Sequence, residues 1–179
     1  VLFRSRQGLD GVDLRSLSDA AVRCGAEPDM FARVCLIHYD LDPERPQAML
    51  PPERVWPYLA QHPDLLDAAL APVQTTYDIG QAIAALATFP VLPARWVPRL
   101  MELALGESDT HRAAAQQALG RAPDIGTRIA EALASNRQEA RIQAARWLAR
   151  LDHRAAIPAL YAALDKETRE TASAELMSA

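Results

Sequence analysis

Apolar residues in this chain recur at intervals of three, four and seven positions, the spacing that puts side chains on one face of an α-helix. The stretch 138–151 shows this most clearly, with a stripe made of Ala140, Ala144, Leu148 and Leu151. Short joins rich in proline, glycine and aspartate separate such stretches. No stretch alternates with period two over β-branched residues, so we predict an all-α protein without strands.

The pattern predicts a series of short helices with short joins. They cover residues 17–24, 30–39, 55–61, 63–70, 79–89, 94–105, 110–119, 125–134, 138–151 and 154–164, and one more from 167 onward. Three of them share an apolar-Pro-x-Leu signature, at Pro57, Pro98 and Pro158. We expect these prolines in the opening turn of a helix, where the missing N–H is not needed.

A second pattern repeats over a longer distance. The motif Arg-x-x-Ala-x-x-x-Leu occurs three times, with offsets of 29 and 28 residues; its members are Arg112, Ala115 and Leu119, then Arg141, Ala144 and Leu148, then Arg169, Ala172 and Leu176. Asp124 returns as Asp152, also 28 residues on. Self-similarity at such a period is typical of stacked units that cannot bury their apolar faces alone.

These features divide the chain into four parts. Residues 1–15 are an irregular lead-in, of which 1–5 resemble translated sequencing adaptor and carry no weight for the fold. Residues 16–51 hold two short helices and a proline-rich loop, 52–108 irregular helical repeats, and 109–179 regular repeats with the last one truncated. We expect the chain to be an internal piece of a larger protein.

Two segments carry a resemblance to a known family. The sequence Arg-x-x-Ala-Ala-x-x-Leu-x-x-Leu-Asp over 141–152, followed by Ala-Ile-Pro-Ala-Leu-x-x-Ala-Leu over 156–164, resembles the short bacterial form of the HEAT-like repeat family. The segment 55–63 is similar to MolR-like bacterial proteins that often also carry a WGR domain. The resemblance implies an α-solenoid, or α-α superhelix, of stacked antiparallel helix hairpins, used for binding and without catalytic residues.

The repeated charged residues predict a structural ladder. Arg141 lies in an apolar stripe near the N-terminal end of its helix, where a cation opposes the helix dipole and needs a partner. Arg112 and Arg169 occupy equivalent places. We therefore predict that Asp124 and Asp152 each cap the following helix and pair with one of these arginines.

Charge suggests a candidate interaction surface. The chain has a net charge of −4, which argues against bulk attraction to nucleic acid or anionic lipid, yet residues 112–154 carry 8 Arg against 4 acidic residues. Arg146, Arg150 and Arg154 are the candidate surface within this excess.

A protein-interaction scaffold is the first interpretation of the chain. The alternative is a nucleic-acid-binding or DNA-repair module, such as a HEAT-like DNA glycosylase, with Trp147 as a stacking aromatic; phycobilin lyases are a further enzyme class with a HEAT-like fold. We expect Trp147 instead to pack in the core.

Other chemistry finds little support in the sequence. His38, His62, His111 and His153 never occur at metal-ligand spacing, and no glycine-rich phosphate loop or nucleophile elbow is present, so we predict no catalytic, cofactor or metal site. Two cysteines without a ligand cluster are typical of reduced thiols in a cytoplasmic protein. No membrane association is expected. A protein partner, or another domain of the parent chain, is favoured over nucleic acid.

Overall fold

The structure is a computed structural model that describes residues 11–38, 50, 52–71, 79–106, 108–168 and 170–178. Within these ranges all regular structure is helical and no strand occurs, so the all-α prediction is confirmed. The chain divides into two compact units, Val1–Pro90 and Val91–Ala179. The predicted boundaries at 52 and 109 stay predictions. The lead-in residues 1–10 and most of the proline-rich loop lie outside the described residues.

The first unit contains five described helices and one 3-10 turn. They are α1 (Leu14–Arg23), α2 (Met30–His38), the turn Pro52–Arg54, α3 (Trp56–Gln61), α4 (Pro63–Ala69) and α5 (Ile79–Ala87). Helix α2 packs against α1, α4 and α5, and α4 also packs against α3 and α5. The core holds fully enclosed leucines from four of these helices, namely Leu14, Leu36, Leu59 and Leu66.

Helix α1 begins three residues before the predicted Leu17. The carboxylate of Asp13 accepts hydrogen bonds from the backbone N–H and the hydroxyl of Ser16, at 2.7 and 2.6 Å. These bonds cap the helix, and they lower the pKa of Asp13. The predicted start is too late because it leaves out both the cap at Asp13 and Leu14, an apolar residue that is fully buried in the core.

The second unit contains six described helices and three 3-10 turns. They are the turn Ala94–Trp96, α6 (Val97–Ala104), α7 (Asp109–Leu119), α8 (Ile125–Glu131), the turn Ala132–Ala134, α9 (Gln138–Arg150), the turn Arg154–Ala156, α10 (Ile157–Leu164) and α11 (Glu170–Ser178). Helix α6 packs on α7, α9 on α8 and α11, and α10 on α8 and α11.

The repeated apolar positions are buried in this unit. Ala115, Ala144 and Ala172 are each 0% exposed, and the leucines that follow them, Leu119, Leu148 and Leu176, are also in the core. The alanines let neighbouring backbones come close, and the leucines fill the space between them. The burial predicted from the repeat is confirmed. Leu151, the last member of the apolar stripe, is not in the core: it caps the end of α9 and is 45% exposed.

The three signature prolines occupy one kind of position. Pro57, Pro98 and Pro158 lie in the first turn of α3, α6 and α10, and each of these helices follows closely on a 3-10 turn. The first N–H groups of a helix have no acceptor within it, so proline loses no hydrogen bond there. The predicted placement is confirmed. None of the described helices is long and apolar enough to cross a bilayer.

Candidate functional site

Arg112 and Arg141 make the same backbone contact in successive repeats. Nε and Nη2 of Arg112 donate to the carbonyl oxygen of Gly106, at 3.2 and 2.6 Å. Nη1 of Arg141 donates to the carbonyl oxygen of Ser135 at 2.9 Å. Each guanidinium therefore binds a carbonyl six residues earlier in the chain. This contact fixes the turn that precedes the helix, which explains why arginine recurs at this position.

Each of these arginines also reaches a glutamate of the following repeat. Nη2 of Arg112 lies 3.6 Å from Oε1 of Glu139, and Nη2 of Arg141 lies 2.6 Å from Oε2 of Glu167. The second pair is the more enclosed, since the side chain of Glu167 is 2% exposed and that of Glu139 is 33% exposed. We call these two contacts the Arg–Glu ladder. Arg112 also pairs with Asp109 in its own helix.

The predicted pairing of the two aspartates with Arg112 or Arg141 is wrong. Among the described residues, Asp124 makes no side-chain capping hydrogen bond to α8, and neither Asp124 nor Asp152 pairs with Arg112 or Arg141. Asp152 pairs with Arg154 at 3.3 Å. The third predicted arginine, Arg169, lies outside the described residues.

The two aspartates recur for a conformational reason. Asp124 and Asp152 have φ values of 57° and 46°, in the left-handed region that aspartate adopts more readily than most residues. At Asp152 the helix ends in a Schellman motif: the N–H of Asp152 donates to Ala149, and the N–H of His153 donates to Leu148, at 3.1 and 3.2 Å. The 28-residue spacing of the aspartates therefore marks turns in the backbone.

The three candidate surface arginines are engaged to different degrees. Nε and Nη2 of Arg146 donate to the two carboxylate oxygens of Glu175 at 2.9 and 2.5 Å. This pairing raises the pKa of Arg146 and lowers that of Glu175. Nη2 of Arg150 donates to the side-chain oxygen of Gln116 at 2.5 Å. Among the described residues Arg154 pairs only with Asp152, which is itself exposed, and the side chain of Arg154 is 82% exposed.

Arg146 and Arg150 therefore connect neighbouring helices. Arg146 links α9 to α11, and Arg150 links α9 to α7. Trp147, between them, is 4% exposed, which confirms its expected place in the core and leaves its ring inaccessible to a stacked base.

A groove runs beside the Arg141–Glu167 pair, between α8 and α10. Its volume is about 480 Å³ and alanines form much of its wall, namely Ala130, Ala134, Ala159, Ala162 and Ala163. Glu131 and Lys166 line it as well, and both are exposed. Ser135, Asn136 and Thr168 also line it, and the Arg141–Glu167 pair forms part of its wall, so the groove combines small apolar surface with polar and charged groups.

A polar cluster in the first unit has no counterpart in the sequence predictions. The hydroxyl of Tyr58 lies 2.9 Å from that of Ser18 and donates to Oδ1 of Asp29 at 3.0 Å. The ring of His62 stacks on that of Tyr58, with centroids 4.1 Å apart, and its Nδ1 lies 3.6 Å from Asp29. Burial is the main cause of the raised pKa of Tyr58. These residues are far apart in the sequence and share no motif spacing, so no local signal indicates the cluster.

The geometry of this cluster points to a structural role. The hydroxyl of Ser18 donates to the carbonyl oxygen of Pro28, and the Ser18 side chain is buried at 4% exposure. A hydroxyl so enclosed cannot meet a substrate. The cluster ties the turn between α1 and α2 to α3 and satisfies the two buried hydroxyls, those of Ser18 and Tyr58.

The remaining candidate chemistry is sparse in the described ranges. There, no three His, Cys, Asp or Glu side chains come together as a metal site. Both cysteines are free thiols; Cys24 is exposed, and burial raises the pKa of Cys35 to about 12, which keeps it protonated.

Compared with known proteins, the chain matches no protein-family model, no curated protein and no solved structure.

Proposed function

We propose that the chain is a non-catalytic scaffold for protein interaction, built as a HEAT-like α-solenoid within a larger cytoplasmic bacterial protein. The observation that carries the proposal is the Arg–Glu ladder. The same arginine position contacts a carbonyl six residues back and a glutamate in the next repeat, once at Arg112 and once at Arg141. A contact that recurs with the sequence period is what stacked units require.

The direction of neighbouring helices gives further support. Arg141 in α9 contacts Glu167, just before α11, and Arg146 contacts Glu175 within α11. The contacts advance along both segments in the same order, as they do when two helices run side by side in the same direction. First helices of successive hairpins have this relation in a solenoid.

The groove between α8 and α10 is the proposed binding surface for a protein partner. Repeat proteins bind along surfaces formed by several successive units, and this groove joins the second helices of two of them. Its alanine walls admit an apolar side chain, while Glu131 and Lys166 provide polar contacts at the edge.

Two observations favour protein over nucleic acid as the partner. Glu175 neutralises Arg146 through two hydrogen bonds. The buried Trp147 offers no stacking surface. A DNA-binding module needs cations facing the phosphates and, for base flipping, an accessible aromatic.

Photo-crosslinking in extracts of the source organism tests the proposal. A benzophenone amino acid at position 162, in the groove, should give one dominant protein adduct. The same probe at Arg128, an exposed position on α8, is the matched control and should not give that adduct. With the purified partner, Ala162→Trp should weaken binding by about tenfold or more, and Arg128→Asp should leave it unchanged.

Three results would contradict the proposal. These are equal adducts at both positions, no effect of Ala162→Trp on affinity, or retention of DNA on a filter at low salt that Arg128→Asp and Arg154→Asp reduce. The third would favour the nucleic-acid alternative, because phosphate contacts weaken when a cation is removed.

A further inference from the structure

Helix α10 has an apolar sequence, Ile-Pro-Ala-Leu-Tyr-Ala-Ala-Leu, yet none of its eight described residues is buried. Ile157 is 46% exposed and Tyr161 is 66% exposed. A helix that is apolar on all sides normally lies inside a protein. One side of α10 faces the groove through Ala159 and Ala163, so the other side accounts for the exposed apolar surface.

That other side carries an ordered set of residues. Arg154, Ile157, Tyr161 and Asp165 are spaced by three, four and four positions, which puts them on one face of the helix and of the turn before it. All four are exposed. We call this set the α10 stripe. It has a cation at its N-terminal end, two large apolar side chains in the middle and an anion at its C-terminal end.

We propose that the α10 stripe pairs with the α10 stripe of a second copy of this chain, with the two helices antiparallel about a two-fold axis. In this arrangement Arg154 lies opposite the second copy's Asp165, and Ile157 lies opposite the second copy's Tyr161. A surface that is its own complement is what a two-fold interface requires. Parallel pairing would put Arg154 against the same arginine of the second copy, so charge selects the antiparallel arrangement.

The ion pair between Arg154 and Asp152 does not prevent Arg154 from pairing with Asp165 of a second copy. This ion pair joins side chains that are 82% and 78% exposed, and pairs in that setting contribute little to stability. Arg154 can therefore exchange one carboxylate for another when two copies meet.

The expected dimer is weak. Two short helices in contact bury less than the ~1,200 Å² typical of a stable complex, which indicates a micromolar or weaker dissociation constant. The pairing concerns the side of α10 away from the groove, and it does not depend on the solenoid or on the protein partner proposed above.

Sedimentation equilibrium of the 179-residue chain from ~5 to ~500 µM tests the pairing. We expect a monomer–dimer equilibrium. Arg154→Asp and Asp165→Arg should each weaken it by about tenfold or more, because each puts like charges at both ends of the interface. The double variant Arg154→Asp/Asp165→Arg should return to within about threefold of the original constant. Arg128→Asp, a charge reversal on α8, is the control.

Disulfide formation between two copies tests the register in which the two α10 helices pair. In a Cys24→Ser background, an equal mixture of Ile157→Cys and Tyr161→Cys chains should form the mixed disulfide faster than either chain forms its own. All substituted side chains are exposed, and circular dichroism verifies that the variants remain helical. A monomer over the whole concentration range, a double reversal as weak as the two single ones, or equal rates for all three disulfides would each overturn the proposal.

Discussion

Arg141 and Glu167 form an ion pair whose carboxylate is almost completely enclosed, with Nε and Nη2 at 2.7 and 2.6 Å from the same oxygen. Removing the cation takes the charged partner Arg141 from an enclosed carboxylate, and this costs more than the pair itself contributes to stability. We predict that Arg141→Met lowers the free energy of unfolding by about 3 kcal/mol, measured by urea denaturation.

Arg112→Met is the matched control for this prediction. Arg112 occupies the equivalent repeat position and also binds a backbone carbonyl, but its glutamate is more exposed and farther away, at 3.6 Å. The expected loss is about 1 kcal/mol. Equal losses for the two variants would show that burial of Glu167 does not matter.

A second prediction concerns the stability of variants at Asp152, which has a left-handed backbone conformation. Asp152→Gly and Asp152→Asn should leave stability nearly unchanged, because glycine and asparagine adopt positive φ at low cost. Asp152→Val should lose about 1–2 kcal/mol. Thermal denaturation of the three variants checks this. If the Gly and Asn variants lose as much as the Val variant, then the carboxylate, and not the backbone, explains the repeated aspartate.

Gly126 and His153 are in close contact, and a Cβ at position 126 would overlap the imidazole ring. We predict that Gly126→Ala destabilises the second unit by about 1–3 kcal/mol. In a His153→Ala background the overlap is gone, and the same change should be neutral or stabilising because alanine favours the helix over glycine. The measurement is urea denaturation of all four chains. Destabilisation of equal size in both backgrounds would exclude the contact as the cause.

The Arg146–Glu175 pair predicts a dependence on pH. The hydrogen bonds from Arg146 lower the pKa of Glu175 in the folded protein below its ordinary value of 4.5. A lowered carboxylate pKa stabilises the fold above the unfolded value, and this contribution disappears as pH falls through the folded value. The stability difference between the original chain and Glu175→Gln should therefore be full at pH 7 and shrink below pH 4.5. Arg146→Met should show the same trend, and a difference that grows in acid would contradict it.

The helices of this chain could be predicted closely from sequence, because their apolar spacing and their prolines act locally. The start of α11 is an exception: it begins at Glu170 and not at 167, where the carboxylate of Glu167 binds Arg141 and the N–H of Thr168. Helix propensity is a local property of the sequence, so it does not predict an end that is set by a tertiary contact such as this one.

The ladder could be predicted in part. The arginines can be identified in the sequence because they repeat at a fixed period. Their glutamate partners repeat as well: Glu139 and Glu167 are 28 residues apart, and each lies two positions before a repeat arginine. Asp124 and Asp152 share that spacing, and only backbone geometry separates a turn residue from an ion-pair partner. The cluster at Tyr58 could not be predicted, because it forms only when α1 and α3 are brought together.

A double-mutant cycle on Arg141 and Glu167 tests most directly whether successive repeats are held together by the Arg–Glu ladder. The free energy of unfolding is measured for the original chain, Arg141→Met, Glu167→Gln and the double variant. The account predicts a coupling of about 2 kcal/mol, with the double variant more stable than the sum of the single losses implies. Additive losses, with no coupling between the two positions, would contradict it.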